Sequence, residues 1–441
     1  MHPSRAIRGR TSRLLSGRHI VLGITGSIAA VEVLKIVREL LRHGAEVRAV
    51  MSPDAVRIIT PEAIEFATGH PPVLQLTGNV EHVTLLGPGE GQADLLLIAP
   101  ATANTIAKIA HGIDDTVVTS CASVALGGGV PILAVPAMHS RMEANPAIRE
   151  SIEKLSGWGV TFLFGPAAEG EAKIAGPEEV SAAVLHRLAR SPWQGRTVTV
   201  IGGAARESID AVRSVTNESS GATAVALAVQ AHYRGASVEL WAGAVEVPIP
   251  PWIPVRRWRS VSDLIDLARA RRSDLARSAA VLVPAALSDF TVRALPGKIS
   301  SRQHARLSLA LHRAPKVLPQ LRQLAPPPTR LVAYRLLAGA GAEELEKEGR
   351  RLLAEVGADW VVANEAATMG APETSAMVLT PRGGRRWLRG PKAEVAGKLL
   401  DDLGQEIGNL SAAPEGPPRR GGRSPTRRPR ARRTGPKVRR R

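Results

Sequence analysis

His82 stands in the run Asn79-Val80-Glu81-His82-Val83, and an imidazole is the side chain that most readily gives and takes protons near neutral pH. Taken alone, such a residue is a solvated loop histidine. Gly26-Ser27 lies where an apolar run hands over to a helical pattern, and backbone N–H groups and the helix dipole favour a phosphate at such a point. A plain turn glycine is the alternative there. Pro100-Ala101-Thr102-Ala103-Asn104-Thr105 follows another apolar run, at a strand's carboxyl end, where open α/β sheets bind ligands. Pro136-Ala137-Met138-His139 follows the next run in the same way. Further on, Gly202-Gly203 starts a polar loop that carries Arg213 and Asn217 and ends in Ser219-Ser220-Gly221. Backbone N–H groups and Arg213 in such a loop can cradle phosphates. Lys298 on its own is a solvated surface lysine.

These residues need a scaffold, and the apolar patterning supplies one. His19–Ile24 is a short apolar run, residues 28–41 carry apolar side chains at helical spacing, Gly44 ends that pattern and Glu46–Met51 is a second strand. Strand, helix and strand in this order form a βαβ unit and hence a parallel sheet. Residues 94–99, 130–136 and 160–164 continue the alternation as strands, with helices over 103–110 and 146–155. Ser191-Pro192-Trp193-Gln194-Gly195 breaks the pattern, which restarts with a strand over 197–201, a helix over 221–233 and a strand over 237–241. Residues 279–284, 330–334 and 359–363 add further strands. The expected fold class is α/β, with two Rossmann-like parallel-sheet domains in tandem over 18–190 and 195–408.

The net charge of +18 belongs to the ends. Arg419–Arg441 holds twelve Lys or Arg and Met1–Arg18 five Arg, and neither stretch has an acid. Residues 1–17 therefore read as a basic arm and 409–441 as a Pro-, Gly- and Arg-rich tail, both expected to be disordered. Such tails can touch polyanions nonspecifically, but they lack interleaved aromatics, and a solubilising role is the plainer reading. A single cysteine, Cys121, excludes an intrachain disulfide and a Cys-cluster metal site, and points to a reducing cytoplasm. No apolar run approaches the ~20 residues that span a bilayer, so no membrane partner is expected.

Gly26-Ser27-Ile28-Ala29-Ala30, PATANT at 100–105 and PAMH at 136–139, in that order and spacing, resemble the flavin-containing cysteine decarboxylase family. Within it the phosphopantothenoylcysteine decarboxylases are the nearest match, over roughly 18–188. The resemblance implies that Gly26, Ser27, Ile28, Ser52, Thr102, Ala103, Asn104, Thr105 and Met138 hold FMN, that His82 is the catalytic histidine, and that His139 meets the substrate carboxylate. It implies oxidation of the substrate's cysteine thiol to a thioaldehyde, loss of the neighbouring carboxylate as CO₂, and return of the electrons. The family commonly has Asn at the place of His139, and a proton-donating Cys on a lid where this chain reads 170–176 without one. Lys173, His139 or a water is the expected donor instead, with Cys121 a buried structural residue on a helix.

The stretch 202–221 resembles the signature of the phosphopantothenate–cysteine ligases, over roughly 195–400. That resemblance makes Arg213 and Asn217 stabilisers of an acyl-nucleotide intermediate and Lys298 the cation at the transferring phosphoryl group. Gly202, Gly203, Asp289, Lys298, Pro315, Lys316, Val317, Leu318 and Tyr334 become nucleotide contacts. The implied substrates are phosphopantothenate, cysteine and CTP with Mg²⁺, and the metal ligands stay unassigned. A lysine usual in the family after Ser-Ser-Gly is Ala222 here, and Arg350 or Arg351 is a candidate substitute for missing late lysines. The two resemblances together imply a bifunctional enzyme of coenzyme A biosynthesis, and homo-oligomers built from trimeric flavoprotein and dimeric ligase domains. The alternatives are another flavin-dependent enzyme of the same fold, an FMN-binding regulatory subunit without catalysis, or a nucleic-acid binder.

Overall fold

The computed structural model describes residues 2–411 apart from 166, 169–170, 173, 301, 303–305 and 369. The first parallel sheet is built from β1 (His19–Ile24), β2 (Glu46–Met51), β3 (Leu95–Ala101), β4 (Ile132–Pro136) and β5 (Thr161–Phe162). Its spatial order is β2-β1-β3-β4-β5, so the winding direction reverses between β1 and β3. Strands β3 and β4 are buried at every position, because helices cover both faces. The helix Val33–Arg42 shows why: Val33, Ile36, Val37, Leu40 and Leu41 recur at three- and four-residue spacing and all are buried. Burial of each such side chain contributes about 1.5–3 kcal/mol. The helical pattern begun at residue 28 is a 3₁₀ turn over Ile28–Glu32 before it becomes α-helical.

The second sheet comprises β6 (Thr197–Gly202), β7 (Ser237–Ala242), β8 (Val255–Arg257), β9 (Ala280–Val283), β10 (Arg330–Leu337), β11 (Trp360–Glu365), β12 (Glu373–Leu379) and β13 (Arg385–Pro391). Its order is β8-β7-β6-β9-β10-β11-β12-β13, with the reversal between β6 and β9. The strands from β8 to β11 run parallel, and β12 and β13 add an antiparallel edge. One face packs on Ala222–Tyr233 and Lys392–Ser411, the other on Val261–Ala270, Val317–Leu324 and Ala342–Val356.

The joint between the domains is ordered. Trp193 is completely buried in the second core, and its indole N–H donates to Leu400 O at 2.8 Å. The ring of Tyr233, at the end of a second-domain helix, packs on the first core and meets His43 edge-on at 5.6 Å.

The N-terminal arm corrects an expectation. It is folded: Pro3–Ile7 is a short helix, Leu15 is completely buried in the first core, and Arg8 donates to Gly44 O and pairs with Glu46. Its few apolar side chains, Ile7, Leu14 and Leu15, pack on the first core, while Arg5, Arg8, Arg10 and Arg13 are exposed. At the other end, residues 409–411 continue the helix Lys392–Ser411, and the expected tail beyond them lies outside the described residues.

Candidate active sites

Three helix starts converge on the carboxyl edge of the first sheet. Ser27, after β1, caps the 3₁₀ turn by accepting the Ala29 N–H. Ser52, after β2, accepts the Ala55 N–H, and Thr102, after β3, accepts the Thr105 N–H. All three are N-caps in extended conformation, where a side-chain oxygen satisfies an N–H the helix cannot. Thr25 bolts two of these loops together: its hydroxyl donates to Pro100 O at 2.7 Å and accepts the Thr102 N–H at 3.0 Å. Gly26 has no space for a side chain, because a Cβ there would collide with Asp54 Cβ. That close approach gives the glycine a packing reason beyond turn geometry.

Around this edge Ile28 is 77% exposed, Asn104 is exposed, and Ala103, Thr105 and Met138 are buried. Met138 and His139 form a short strand paired with Glu171–Ala172. Lys173 lies outside the described residues. His139 is exposed and caps the next short helix, with Nδ1 accepting the Arg141 N–H at 3.2 Å. That acceptor role places the ring proton of the neutral imidazole on Nε2.

His82 lies in the helix Glu81–Leu86, which packs on Val117–Gly128 and is anchored by the completely buried Leu86. Its Nδ1 is buried without a hydrogen-bond partner, a costly state for a polar atom in a finished protein. The residue two before it, Val80, has φ 46° and ψ 49°, a left-handed conformation that a β-branched side chain adopts only under constraint. Thr77 supplies the constraint, donating its N–H (2.9 Å) and its hydroxyl to the Glu81 carboxylate, which those bonds hold below the usual carboxylate range.

Cys121 sits on the helix Val117–Gly128, wholly buried, and burial pushes its thiol up to about 12. A thiol so shifted stays protonated through neutral pH and is a poor nucleophile. The folded protein at pH 8 should therefore resist iodoacetamide, and guanidinium should make the same residue react at a free-thiol rate. Rapid labelling of the native chain, read by mass spectrometry, would contradict this placement.

In the second domain the reversal between β6 and β9 is lined by Gly202-Gly203 on one side and residues 284–289 on the other. A Cβ on Gly202 would collide with Ala224 Cβ, so the strand end and the first turn of Ala222–Tyr233 need this glycine. Asn217 is exposed and its amide donates to Leu287 O at 3.0 Å. Asp289 pairs with Lys316 at 2.6 Å, directly before the helix Val317–Leu324. Pro315 is exposed, whereas Val317 is buried and Leu318 packs on the core. Tyr334, on β10, packs on the opposite core, and burial raises its phenol. Arg213 is committed to Asp210 at 2.5 Å and to Ile299 O at 3.2 Å. Lys298 is exposed and has no partner among the described residues.

Arg350 binds Glu346 and the Gly383 carbonyl, in the turn at the far end of the antiparallel edge, and Arg351 pairs with Glu348 and Glu355. The structure does not bring Arg350 to the site, which corrects the expectation that it stands in for a missing lysine. Residues that sequence reasoning passed over are Thr25, Glu207 and Asp210. Among the described residues no group of three His, Cys, Asp or Glu could hold a metal ion, and no helix is long and apolar enough to cross a membrane.

Two parallel sheets, each with its polar loops at the reversal, define a tandem α/β protein whose halves carry separate sites. Residues 8–189 match the flavoprotein family, and residues 193–406 match the family described as the DNA/pantothenate metabolism flavoprotein C-terminal domain. The chain is 42% identical over 407 residues to the coenzyme A biosynthesis bifunctional protein CoaBC of Thermococcus kodakarensis, covering 91% of this chain and 99% of the relative. It is 34% identical over 368 residues to the protein of that name from Methanocaldococcus jannaschii, covering 83% and 88%. The crystal structure of the C-terminal domain of a CoaBC protein covers 50% of this chain and 99% of its own, with a TM-score of 0.41 and 22% identity. The chain belongs to the family of bifunctional coenzyme A biosynthesis proteins, and it is an enzyme with a flavoprotein decarboxylase domain and a ligase domain.

Proposed function

We propose that the flavin is FMN and that it docks where β1 and β3 part. The observation that carries this is the trio of caps Ser27, Ser52 and Thr102 at one sheet edge, tied by Thr25. Backbone N–H groups at Gly26 and Ile28 and at the start of Ala103–Ala110 suit a phosphate, with Ser27 as the cap between them. Ala103, Asn104, Thr105 and Met138 line the wall for the ring. When bound, the flavin supplies reversible two-electron oxidation of the substrate's cysteine unit. His82, with an unpartnered ring nitrogen, carries the proton that moves at that unit. His139 presents its Nε2 proton to the substrate carboxylate. His82 makes no hydrogen bond to the cap-bearing edge of its own chain among the described residues, and Ile28, Val31, Val80 and Val83 are exposed on the segments involved. Both facts suit a trimer in which a neighbour completes the site. A dimer of ligase domains is proposed on family resemblance.

In the second domain, phosphopantothenate is activated by CTP with release of pyrophosphate, and cysteine then attacks the acyl group. Gly202, Gly203, Pro315, Lys316, Val317 and Leu318 offer backbone groups to the nucleotide, Asp289 flanks it, and Lys298 offsets phosphoryl charge; Tyr334, packed on the opposite core, is not placed to touch it. Mg²⁺ arrives with the triphosphate. Cytoplasmic residence fits a lone, buried thiol. Purified protein incubated with phosphopantothenate, cysteine and CTP should yield phosphopantetheine by mass spectrometry, and the protein should be yellow. A colourless protein that takes up no FMN on titration would overturn the cofactor assignment. Turnover with ATP but not CTP would overturn the nucleotide.

A further inference from the structure

The signature loop of the ligase domain is zipped along the segment that carries Lys298. Asn217 donates to Leu287 O, the Thr291 hydroxyl donates to Glu207 at 2.7 Å, the Leu295 N–H donates to Ile209 O at 2.9 Å, and the Ala211 N–H donates to Gly297 O at 2.9 Å. The last tooth is Asp210. Its side chain is 0% exposed. One carboxylate oxygen accepts the Val212 and Arg213 N–H groups at 2.8 and 2.7 Å. The other accepts the Arg213 guanidinium at 2.5 Å and the Ile299 N–H at 3.1 Å. Arg213 in turn donates to Ile299 O at 3.2 Å. Both backbone groups of Ile299 and the carbonyl of Gly297 are thereby held. Lys298 stands between two pinned neighbours with its own side chain exposed.

A buried carboxylate with four donors is spent. It has no lone pair left to reward a substrate, and detaching it would strand donors in a dry place. Its effect on chemistry must then be geometric. We infer that Asp210 is a positioning residue of the ligase reaction, fixing where the Lys298 ammonium stands through Arg213 and the Ile299 backbone. The inference rests on the reading of Lys298 as the phosphoryl cation. A misplacement of about 1 Å in such a group costs on the order of 100-fold in rate.

A double-mutant cycle in the full chain tests it. Asp210→Ala, Lys298→Ala and the double variant are compared by pyrophosphate release from phosphopantothenate and CTP. The thermal unfolding transition of the ligase half in each variant reports intact folding, and CO₂ release from phosphopantothenoylcysteine controls for the flavin half. Asp210→Ala should lower kcat about 100-fold with KM for CTP within a few-fold, and the double variant should be no slower than Lys298→Ala. Asp210→Asn, which keeps one acceptor oxygen, should fall between wild type and Asp210→Ala, and it carries the cycle if the alanine variant fails to fold. Losses that multiply in the double variant would overturn the positioning role and leave Lys298 as the cation. A wild-type rate for Lys298→Ala would overturn both.

Discussion

His82→Asn should cut CO₂ release by about 10²- to 10⁴-fold, the usual worth of a positioned proton carrier, while phosphopantothenoylcysteine still forms at the wild-type rate. Asparagine keeps a similar shape but has no group that titrates near neutral pH. The loop should survive the change, because its shape comes from Thr77 bound to Glu81 and from the Thr84 hydroxyl bound to Asn79 O, not from the imidazole. The ligase site lies on the other sheet and shares no residue with this helix. Separate assays of the two half-pathways read the outcome. Wild-type decarboxylation would remove His82 from the chemistry, and loss of both activities in a folded variant would show that the sites are coupled.

Asn217→Asp should let pyrophosphate release continue while cysteine adduct formation falls by at least about 100-fold, so that an acyl-nucleotide builds up. The amide donates to the Leu287 carbonyl at 3.0 Å. A carboxylate at the same place donates nothing, and two acceptors then face each other across the reversal between β6 and β9. Rapid-quench mass spectrometry with all three substrates reads both products. Unchanged ligation would remove Asn217 from cysteine transfer.

Much of the scaffold was legible because buried parallel strands are continuous apolar runs bounded by glycine. Leu95–Ala101 and Ile132–Pro136 are of that kind, and the polar stretches that follow them are the loops that carry the first site. The edge strands Glu373–Leu379 and Arg385–Pro391 were not read, since Arg385, Arg386 and Arg389 break any apolar run. In the N-terminal arm four arginines outweigh Ile7, Leu14 and Leu15 in composition, although those three decide where the chain packs. Positions touching a cofactor or nucleotide were proposed from local motifs. The braces Thr25, Glu207 and Asp210 escaped notice because their partners lie about 75 to 90 residues away, and no periodicity marks such a contact.

Trp193 has a consequence for how the molecule is made. Its indole waits for Leu400, 207 residues downstream, and Arg234 likewise waits for Asp401. All five strands of the first sheet precede residue 163, and the Arg18 guanidinium that closes that half needs only Asp94 and Leu188. A chain emerging from the ribosome can thus complete its flavin half at mid-synthesis, whereas the ligase half stays open until the helix Lys392–Ser411 has been delivered. Truncation before Leu400 would therefore spare one activity and destroy the other.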